Sequence, residues 1–580
     1  MAARTNGRSS PKALGPRLRG DERKLAGAAA ALVMLAAGTA QAQEGGLAIP
    51  NLRTVAGAPS DGGDTIDVVL SRDVSGICPD VDRPRWPSPE PMVGSPTLAQ
   101  TAEYRATFGV EAMIGQFLGR IAAVDGGNGP RSVLRVDDQE GVRRGEIECF
   151  HAGHWGLLWS IPILLKDNIE TRDMPTTAGS LALADNAPGR DAPLVDRLRR
   201  QGMVILGKTN LSEWANIRSS NSISGWSAVG GQTLNPYDPA RTPCGSSSGS
   251  AVAVAIGLAP AAIGTETDGS ITCPASVNGV VGFKPTVGLV SRTHIVPISH
   301  SQDTAGPITT TVEDAAIVLS VIAGSDPLDP ATAEADARKV DYRAALDAGS
   351  LNGARIGVMR FLLPSYSEET RAEFERSLQV MRDAGAVIVD ITEPPADWRN
   401  IGTWELQVLM SELKADLNAY LASTNPEQVR TRTLADLIAF NDAEPRETVL
   451  FGQELFLRAE ATTGLEDPVY LNARASSLRA AGPEGIDRMM ADNQVVALIA
   501  PTTSRAWTND RDDDDNAQGS ASRLAAVAGY PHLTVPMGFD RGMPVGISFM
   551  AGKWEDAKVL SLGYAFEQRT RARRAPGSAR

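Results

Sequence analysis

The sequence predicts an α/β fold built around a largely buried β-sheet. Two short apolar segments, Ile161–Leu165 and residues 204–208 (VILGK), have the length and composition of strands that are covered on both faces. A charged segment typical of a helix, residues 195–202 (VDRLRRQG), separates them, and this alternation of strands and helices favours the α/β class. With 42% hydrophobic and 22% charged residues, the chain has the composition of a globular protein with an ample core.

Residues 1–42 are predicted to be a secretory signal peptide rather than part of this fold. Basic side chains such as Arg23 and Lys24 precede the charge-free run LAGAAAALVMLAAGTAQA, which ends in the small-residue sequence Ala40-Gln41-Ala42. The run is short and rich in alanine, which favours a cleaved signal over a permanent membrane anchor. We therefore expect a periplasmic or secreted protein.

The charge of the mature chain excludes two classes of partner. Removal of residues 1–42 takes away seven basic and two acidic side chains, so the formal net charge changes from −13 to −18. Nucleic acids and anionic lipid surfaces would repel so acidic a protein. The sequence thus predicts no nucleic-acid partner and no membrane partner after signal cleavage.

The remaining chain divides into an extension and one large domain. Residues 43–95 are rich in Gly, Pro, Asp and Ser and are predicted to form an irregular N-terminal extension. Residues 96–580 are predicted to form the domain, and a helix is expected from Val110, because apolar residues recur there at helical spacing. Within the domain, residues 326–495 are more charged and are expected to form a helical region packed on or beside the sheet.

The spacing of the cysteines indicates structural roles and does not match a metal-binding or redox motif. No C-x-x-C occurs among Cys78, Cys149, Cys244 and Cys273. In an oxidising compartment the expected pair is Cys78 with Cys149, because both lie in polar, loop-like sequence. Cys244 and Cys273 are expected to be small packing residues, and whether any of the four is paired stays open.

No metal site is predicted from the histidines or from the acidic run near residue 510. His151-x-x-His154 is the only close histidine pair in the sequence, and no carboxylate or thiol stands at a useful spacing from it. Residues 509–516 (NDRDDDDN) lack the glycine and the glutamate of a calcium-binding loop, so a solvated acidic loop is predicted.

One serine matches a nucleophile motif, but the sequence around it does not suit that role. Residues 245–249 match G-x-S-x-G, which would make Ser247 the elbow serine of an α/β-hydrolase. That elbow needs a strand running into it, whereas the approach LNPYDPARTPC contains three prolines that a central strand excludes. His532, the late histidine such an enzyme would need, has no acidic neighbour. Ser247 is therefore not predicted to be the nucleophile.

A lysine and two other serines form a second candidate constellation. Ser246 lies in a glycine-serine loop that leads into the small-residue segment AVAVAIGLA, and Ser270 lies in a second loop, GTETDGSITCPAS. Lys166 ends the apolar run IPILLK. An ammonium at the end of a buried strand is partly desolvated, which lowers its pKa and lets the neutral amine act as a base.

Three motifs in this order resemble the amidase signature family. They are IPILLKDNIET, CGSSSGS and GTETDGSITCPASVNGVVGFKPTVGLVSR, and the resemblance runs from about residue 97 to residue 570. Within the family the chain is most similar to bacterial peptide amidases, which release ammonia from C-terminally amidated peptides. The resemblance implies the amidase-signature fold, a large mixed β-sheet covered by helices on both sides, and an enzyme that uses no cofactor and no metal.

The resemblance also implies roles for individual residues. Ser270 matches the nucleophile, Lys166 the base, and Ser246 a bridging serine that follows a cis peptide bond and relays a proton between the other two. The oxyanion hole would be formed by the backbone N–H groups of four consecutive residues, namely Thr267, Asp268, Gly269 and Ser270.

Four departures from the family pattern concern the substrate more than the chemistry. Cys244 and Ser248 replace glycines of the usual GGSSGG loop, Asp268 replaces a glycine beside the nucleophile, and Thr272 stands where arginine is common. Oxyanion donors act through the backbone, so Asp268 is compatible with catalysis. It does, however, add a carboxylate or a hydrogen-bonding group close to the substrate.

Several alternatives remain open at this point. The same triad would serve a hydrolase of aryl acylamides, lactams or esters, and a protein of another class, an exported peptide-binding protein, would share the signal peptide and the α/β character. Lys166 beside Asp167 would also suit an exposed ion pair, and serines are common in turns for backbone reasons alone. Trp214 and Trp226 would fit either a substrate cleft or the core.

Overall fold

The computed structural model describes residues 90–127, 129–137, 156–509 and 519–577, all within one compact unit. The predicted signal peptide, Cys78, Cys149 and the pair His151 and His154 lie outside the described residues, as do most of the N-terminal extension and most of the acidic run. No helix in the described ranges combines the length and the hydropathy that a membrane span requires.

An eleven-stranded mixed sheet forms the centre of the described structure, in the order β1-β3-β2-β6-β8-β7-β12-β13-β11-β9-β10. Strands β4 and β5 pair separately as a short ribbon. The strands are β1 (Val133–Val136), β2 (Pro162–Lys166), β3 (Val204–Thr209), β4 (Trp226–Ser227), β5 (Gly231–Gln232), β6 (Ala261–Glu266), β7 (Val281–Lys284), β8 (Thr304–Thr309), β9 (Arg355–Met359), β10 (Val387–Ile391), β11 (Ala497–Pro501), β12 (His532–Asp540) and β13 (Met543–Met550).

Helices follow or separate most of these strands. They are α1 (Leu98–Phe108), α2 (Val110–Arg120), α3 (Pro193–Arg200), α4 (Ser248–Ala255), α5 (Thr272–Val277), α6 (Val312–Ile322), α7 (Ala335–Arg338), α8 (Glu368–Asp383), α9 (Trp398–Ser423), α10 (Leu434–Ala443), α11 (Pro445–Thr448), α12 (Glu454–Glu460), α13 (Pro468–Ala481), α14 (Arg488–Asn493), α15 (Ser522–Ala528) and α16 (Asp556–Thr570). The prediction of a large mixed sheet with helices packed on it is confirmed.

The two strands predicted from apolar runs are present and buried. β2 pairs in parallel with β3 on one side and with β6 on the other, and every residue of the three strands is buried. Parallel strands covered on both faces need continuous apolar sequence, which is why these runs could be identified. β2 is displaced by one residue from the predicted segment and includes Lys166 as its last residue.

The region predicted to be helical, residues 326–495, also supplies part of the sheet. It contains eight of the helices, α7 to α14, but β9 and β10 lie in it too and pair in parallel at the sheet edge. β10 is half exposed, as an edge strand is, so its short sequence VIVDI did not stand out from the charged segments around it. This region thus supplies two strands of the sheet besides its helices.

The helix that follows the glycine-serine loop is held close to the central strands. Every residue of α4 is buried, and most of its side chains are small. A Cβ atom added at Gly249 would overlap the backbone oxygens of Ser132 and Asn210, so only glycine permits this approach. The close packing fixes the loop before α4, which contains Ser246, against the end of β3.

Candidate active site

Lys166 lies at the carboxyl end of β2 and is completely buried. Its Nζ lies 2.7 Å from Ser246 Oγ, 2.8 Å from Thr265 Oγ1 and 3.2 Å from the Thr265 carbonyl oxygen. All three partners are uncharged. A neutral amine satisfies this arrangement by donating twice to Thr265, which leaves its lone pair to accept the proton of the Ser246 hydroxyl.

The surroundings of Lys166 favour its neutral form. Burial lowers the pKa of Lys166 from 10.5 to about 7, and the negative charges of Asp303 and Glu266 oppose this shift only in part. At neutral pH a large fraction of the side chain is therefore unprotonated and can act as a base.

The alternative of an exposed ion pair between Lys166 and Asp167 is wrong. Asp167 is buried and accepts instead from Lys208 Nζ, at 2.9 Å, and from the hydroxyl of Thr177. Neighbours along a strand point to opposite faces of the sheet, which separates the two side chains. Among the residues that the structure describes, none therefore offers Lys166 a carboxylate in direct contact.

Ser246 lies between Lys166 and the second loop. The peptide bond Gly245–Ser246 is cis, as the resemblance implied. Ser246 is fully buried, and its Oγ contacts Lys166 Nζ and no other hydrogen-bonding group of the described residues. Its hydroxyl proton is therefore free to pass to the amine.

Ser247 is structural. Its side chain is buried, its Oγ donates to the Thr265 carbonyl oxygen at 3.1 Å, and the same Oγ accepts from Thr265 N at 3.2 Å. His532 is also buried, far along the sheet on β12, and its Nε2 lies 2.6 Å from Ser548 Oγ. These contacts occupy both groups that the elbow mechanism would need.

Ser270 adjoins the Ser246 loop and reaches solvent. The Ser247 N–H donates to the Ser270 carbonyl oxygen at 3.1 Å, which joins the two loops. Ser270 is 8% exposed, and its Oγ makes no hydrogen bond with any described residue. The backbone N–H groups of Asp268, Gly269 and Ser270 likewise donate to no described group, and Gly269 has a φ of 81°. Unpaired donors beside a free hydroxyl are what an oxyanion hole requires.

A disulfide joins the same two loops. Cys244 and Cys273 are bonded, with their Cα atoms 6.0 Å apart, which answers the question of pairing left open by the sequence, and both also pack in an apolar cluster. Cys244 stands two residues before Ser246, and Cys273 stands three residues after Ser270. The bond therefore fixes the spacing of the two serine loops.

The tryptophans singled out in the sequence belong to the core. Trp214 and Trp226 are both buried, and their rings pack against Phe456 and Phe451, with centroid separations of 5.8 and 5.2 Å. Neither ring lies free in a cleft.

A cavity of about 370 Å³ lies beside Thr265, and its lining does not include Lys166, Ser246 or Ser270. Thr265 and Asn168 are among its lining residues, and both contact the hydrogen-bond network of Lys166. Apolar side chains, including Ile295 and Ile298, line part of the cavity, together with the charged residues Arg292, His300, Asp303, Asp329 and Asp416. Volumes of this size accommodate small ligands or short peptides.

One group of residues in the described ranges has metal-ligand spacing. The ligand atoms of His300, Glu412 and Asp416 lie within 4.8 Å of one another. All three are engaged in hydrogen bonds, since His300 Nδ1 lies 2.9 Å from Asp416 and the buried carboxylate of Glu412 accepts from Ser301 and Tyr470. The neighbouring carboxylates raise the pKa of His300, which suits a charged bridge between them.

Sequence reasoning did not find several residues that surround the lysine and the serines. Asp303 accepts from the hydroxyl of Thr267, and burial raises the pKa of Asp303 to about 6. Glu405 comes from the long helix α9 and lies near Asp268. Both are single carboxylates in otherwise unremarkable sequence, and only the tertiary fold brings them to the site.

The chain is similar to amidases over most of its length. The family model described as Amidase matches residues 146–560. A probable amidase of Arabidopsis thaliana is 39% identical over 429 residues, which cover 72% of this chain and 78% of that protein.

Two solved structures extend the similarity to three dimensions. The native peptide amidase of Stenotrophomonas maltophilia is 49% identical with a TM-score of 0.78, and the match covers 83% of this chain and 99% of that one. The peptide amidase in complex with the competitive inhibitor chymostatin is 50% identical, again with a TM-score of 0.78, over 83% and 98% of the two chains.

Proposed function

Because the chain belongs to the amidase signature family and is an amide hydrolase, we propose that it removes the C-terminal amide of peptides through a triad of Ser270, Ser246 and Lys166. The observation that carries the triad is the fully buried amine of Lys166, which has no carboxylate in contact and lies 2.7 Å from Ser246 Oγ. A lysine held in this way is useful as a base and has no structural counter-ion.

The first half of the reaction forms an acyl-enzyme. Ser270 Oγ attacks the amide carbon while its proton passes to Ser246 Oγ, and the Ser246 proton passes to Lys166 Nζ. The N–H groups of residues 267–270 stabilise the oxyanion. The ammonium of Lys166 then returns a proton through Ser246 to the leaving nitrogen, the C–N bond breaks, and ammonia departs.

The second half regenerates the enzyme. Water attacks the ester of Ser270, and its proton follows the same path to Lys166. The C–O bond to Ser270 then breaks and Ser270 Oγ regains a proton, which leaves the peptide with a free carboxyl group. In each half Lys166 takes up one proton and returns it, so no cofactor enters the proposed scheme.

The substrate class is proposed from similarity and from the size of the site. The two solved structures at 49% and 50% identity are those of a peptide amidase. Ammonia needs little space on the leaving side, whereas a peptide needs a longer cleft, and the cavity of about 370 Å³ beside Thr265 and Thr267 is large enough for part of one. We therefore expect many C-terminal side chains to be accepted and internal peptide bonds to be left intact.

The triad is tested by four alanine variants and an amidated dipeptide, with ammonia release as the assay. Ser270→Ala should abolish turnover, and Lys166→Ala and Ser246→Ala should each lose about three or more orders of magnitude in kcat, because groups that act as one unit are strongly non-additive. Ser247→Ala is the matched control, since its hydroxyl is buried next to the triad but bonds only to Thr265. An active Ser270→Ala beside a dead but folded Ser247→Ala would refute the assignment.

The substrate is tested by mass spectrometry of a longer amidated peptide. Replacement of the terminal amide by an acid adds about one mass unit and supports the proposal, and inhibition by chymostatin would be a second sign. Internal fragments would contradict it. Rapid cleavage of anilides, lactams or esters without reaction of the peptide amide would assign the protein to the alternative hydrolase class, and the absence of any hydrolysis would favour a peptide-binding protein.

A further inference from the structure

Glu405 is connected to the predicted oxyanion loop through one amide group. It lies on α9, is 5% exposed, and its Oε1 accepts from Gln302 Nε2 at 3.1 Å. The same Gln302 Nε2 donates to the Thr267 carbonyl oxygen at 3.3 Å. The side chain of Gln302 thus links the carboxyl group of Glu405 to the first residue of the loop that ends in Ser270.

This link acts on a peptide plane that matters for catalysis. The Thr267 carbonyl and the Asp268 N–H belong to one rigid peptide unit. A hydrogen bond that holds the carbonyl oxygen therefore also sets the direction of the N–H, one of the donors that the described residues leave unpaired. Donors of an oxyanion hole are effective only when their direction is fixed before the charge develops.

A second carboxyl group faces Glu405 from the loop itself. Asp268 Oδ1 is buried and accepts no hydrogen bond from the described residues. Burial and, next, the charge of the neighbouring Asp268 raise the pKa of Glu405 to about 8. Glu405 is therefore protonated at neutral pH, and it can donate toward Asp268 while it accepts from Gln302.

Among the described residues, three other charged groups lie around Glu405 and Asp268. From α15, Arg523 Nε donates to Glu405 Oε2 at 3.2 Å, but the guanidinium side chain is 46% exposed and its charge is screened. Glu266 and Lys284, at the ends of β6 and β7, are buried and feel the charge of Asp268. Burial lowers the pKa of Lys284 to about 8, so a titration of Lys284 must be distinguished from that of the pair.

We propose that Glu405 is a positioning residue for the hydrolysis, which it serves by holding the Thr267 carbonyl, and with it the oxyanion loop, through Gln302. The inference rests on the proposed function, in which residues 267–270 stabilise the oxyanion. The proton on Glu405 also keeps this carboxyl group neutral beside Asp268. When that proton is lost, a second negative charge appears beside the developing oxyanion, and the rate should fall on the alkaline side.

Two substitutions at Glu405 separate the charge effect from the anchoring effect. Glu405→Gln keeps a hydrogen-bond donor toward Asp268 and an acceptor for Gln302, gives up only the bond from the half-exposed Arg523, and so imitates the protonated carboxyl group. It should keep kcat at pH 7 within about threefold and should lose the alkaline decline up to pH 9.5. Glu405→Ala removes the anchor of Gln302 and should lower kcat about tenfold to a hundredfold with KM changed less than threefold.

Asp314→Asn is the matched control. Asp314 is a buried carboxyl group on α6 that accepts from the Leu98 N–H at 3.2 Å rather than from the oxyanion loop. Burial raises the pKa of Asp314 to about 7, so it too is a titrating buried acid. This variant should keep the activity and both sides of the pH profile. Circular dichroism and thermal melting of each variant establish that it is folded.

The pH profile of Glu405→Gln tests the role of the proton, and the kcat of Glu405→Ala tests the anchoring. An alkaline decline that persists unchanged in Glu405→Gln overturns the role of the Glu405 proton and points to Lys284 instead, and wild-type kcat in folded Glu405→Ala overturns the anchoring. If Glu405→Ala does not fold, the pH profile of Glu405→Gln still decides. Failure of the proposed function is separate, because it would appear as activity in Ser270→Ala whatever the behaviour at Glu405.

Discussion

Breaking the disulfide between Cys244 and Cys273 should lower the stability of the protein by an amount that the chain connectivity sets. The two cysteines are 29 residues apart in sequence. Closing a loop of that length restricts the unfolded chain, and the loop-entropy relation gives about 3.5 kcal/mol at 25 °C. Alanine is the replacement of choice, because Cys244 is buried in an apolar cluster with Val277, Ala506 and Met543. Urea unfolding monitored by fluorescence measures the change.

The activity of the same variant should fall much less than its stability. The two serine loops are also joined by the Ser247 N–H, which donates to the Ser270 carbonyl oxygen at 3.1 Å, and by Asn278 Nδ2, which donates to the Pro243 carbonyl oxygen at 2.8 Å. In the folded enzyme these bonds keep the loops together without the covalent link. At 25 °C kcat should therefore stay within about tenfold of the wild type, while the temperature of inactivation falls.

The two single variants are the control for this prediction. Cys244→Ala and Cys273→Ala each break the same bond, so each should lose about as much stability as the double variant, and the two losses should not add. Additive losses would show that side-chain packing, not the covalent bond, accounts for the effect. A double variant that loses less than about 1 kcal/mol would refute the loop-entropy reasoning.

On the acid side, kcat/KM should follow one deprotonation near pH 7, because burial lowers the pKa of Lys166 to about 7 and only the neutral amine accepts a proton; a rate that is flat down to pH 5 would contradict this. In urea titrations between pH 7 and 9, the free energy of unfolding of the wild type should rise by about 2 kcal/mol relative to that of Lys166→Met. In that range the unfolded lysine holds a proton that the buried one does not. His532→Ala should remain active toward an amidated dipeptide, because His532 bonds to Ser548 and not to the triad; a folded but inactive variant would restore a histidine mechanism. In a Gram-negative host, mass spectrometry of the mature protein should find Gln43 as the first residue, and an intact N-terminus in the cytoplasm would refute the signal peptide.

The parts of the fold that the sequence predicted are those that have a local signature. A strand buried on both faces needs a continuous apolar run, and IPILLK is one, so β2 and the position of Lys166 at its end could be inferred from the sequence. The serine loops were found because their glycines and serines stand in a fixed order. Strands β9 and β10 were missed, because strands of only five residues carry little pattern of their own and β10, at the sheet edge, is half exposed.

The parts that could not be predicted depend on contacts between distant segments. Cys244 and Cys273 meet because the segments around the starts of α4 and α5 pack together. The spacing of the two cysteines in the sequence does not indicate this contact. Glu405 reaches the oxyanion loop from a helix that begins 128 residues after Ser270 along the chain, at Trp398. In the sequence such a carboxylate cannot be distinguished from the others on a charged helix, because its burial depends on the tertiary fold.

Three buried lysines at strand ends show why Lys166 is suited to be a base. Lys208 is also fully buried, but it donates to the Asp167 carboxylate at 2.9 Å, and Lys284 is buried near the carboxylates of Glu266 and Asp556. Lys166 contacts only neutral oxygens. Its folded pKa of about 7 lies below the ordinary 10.5, so the unfolded chain binds more protons between these values and stability rises with pH across that range. At pH 7 the burial of this amine therefore costs about 4 kcal/mol relative to a pH above 10.5. The same desolvation holds Lys166, one hydrogen bond from Ser246, in the form that can accept the hydroxyl proton.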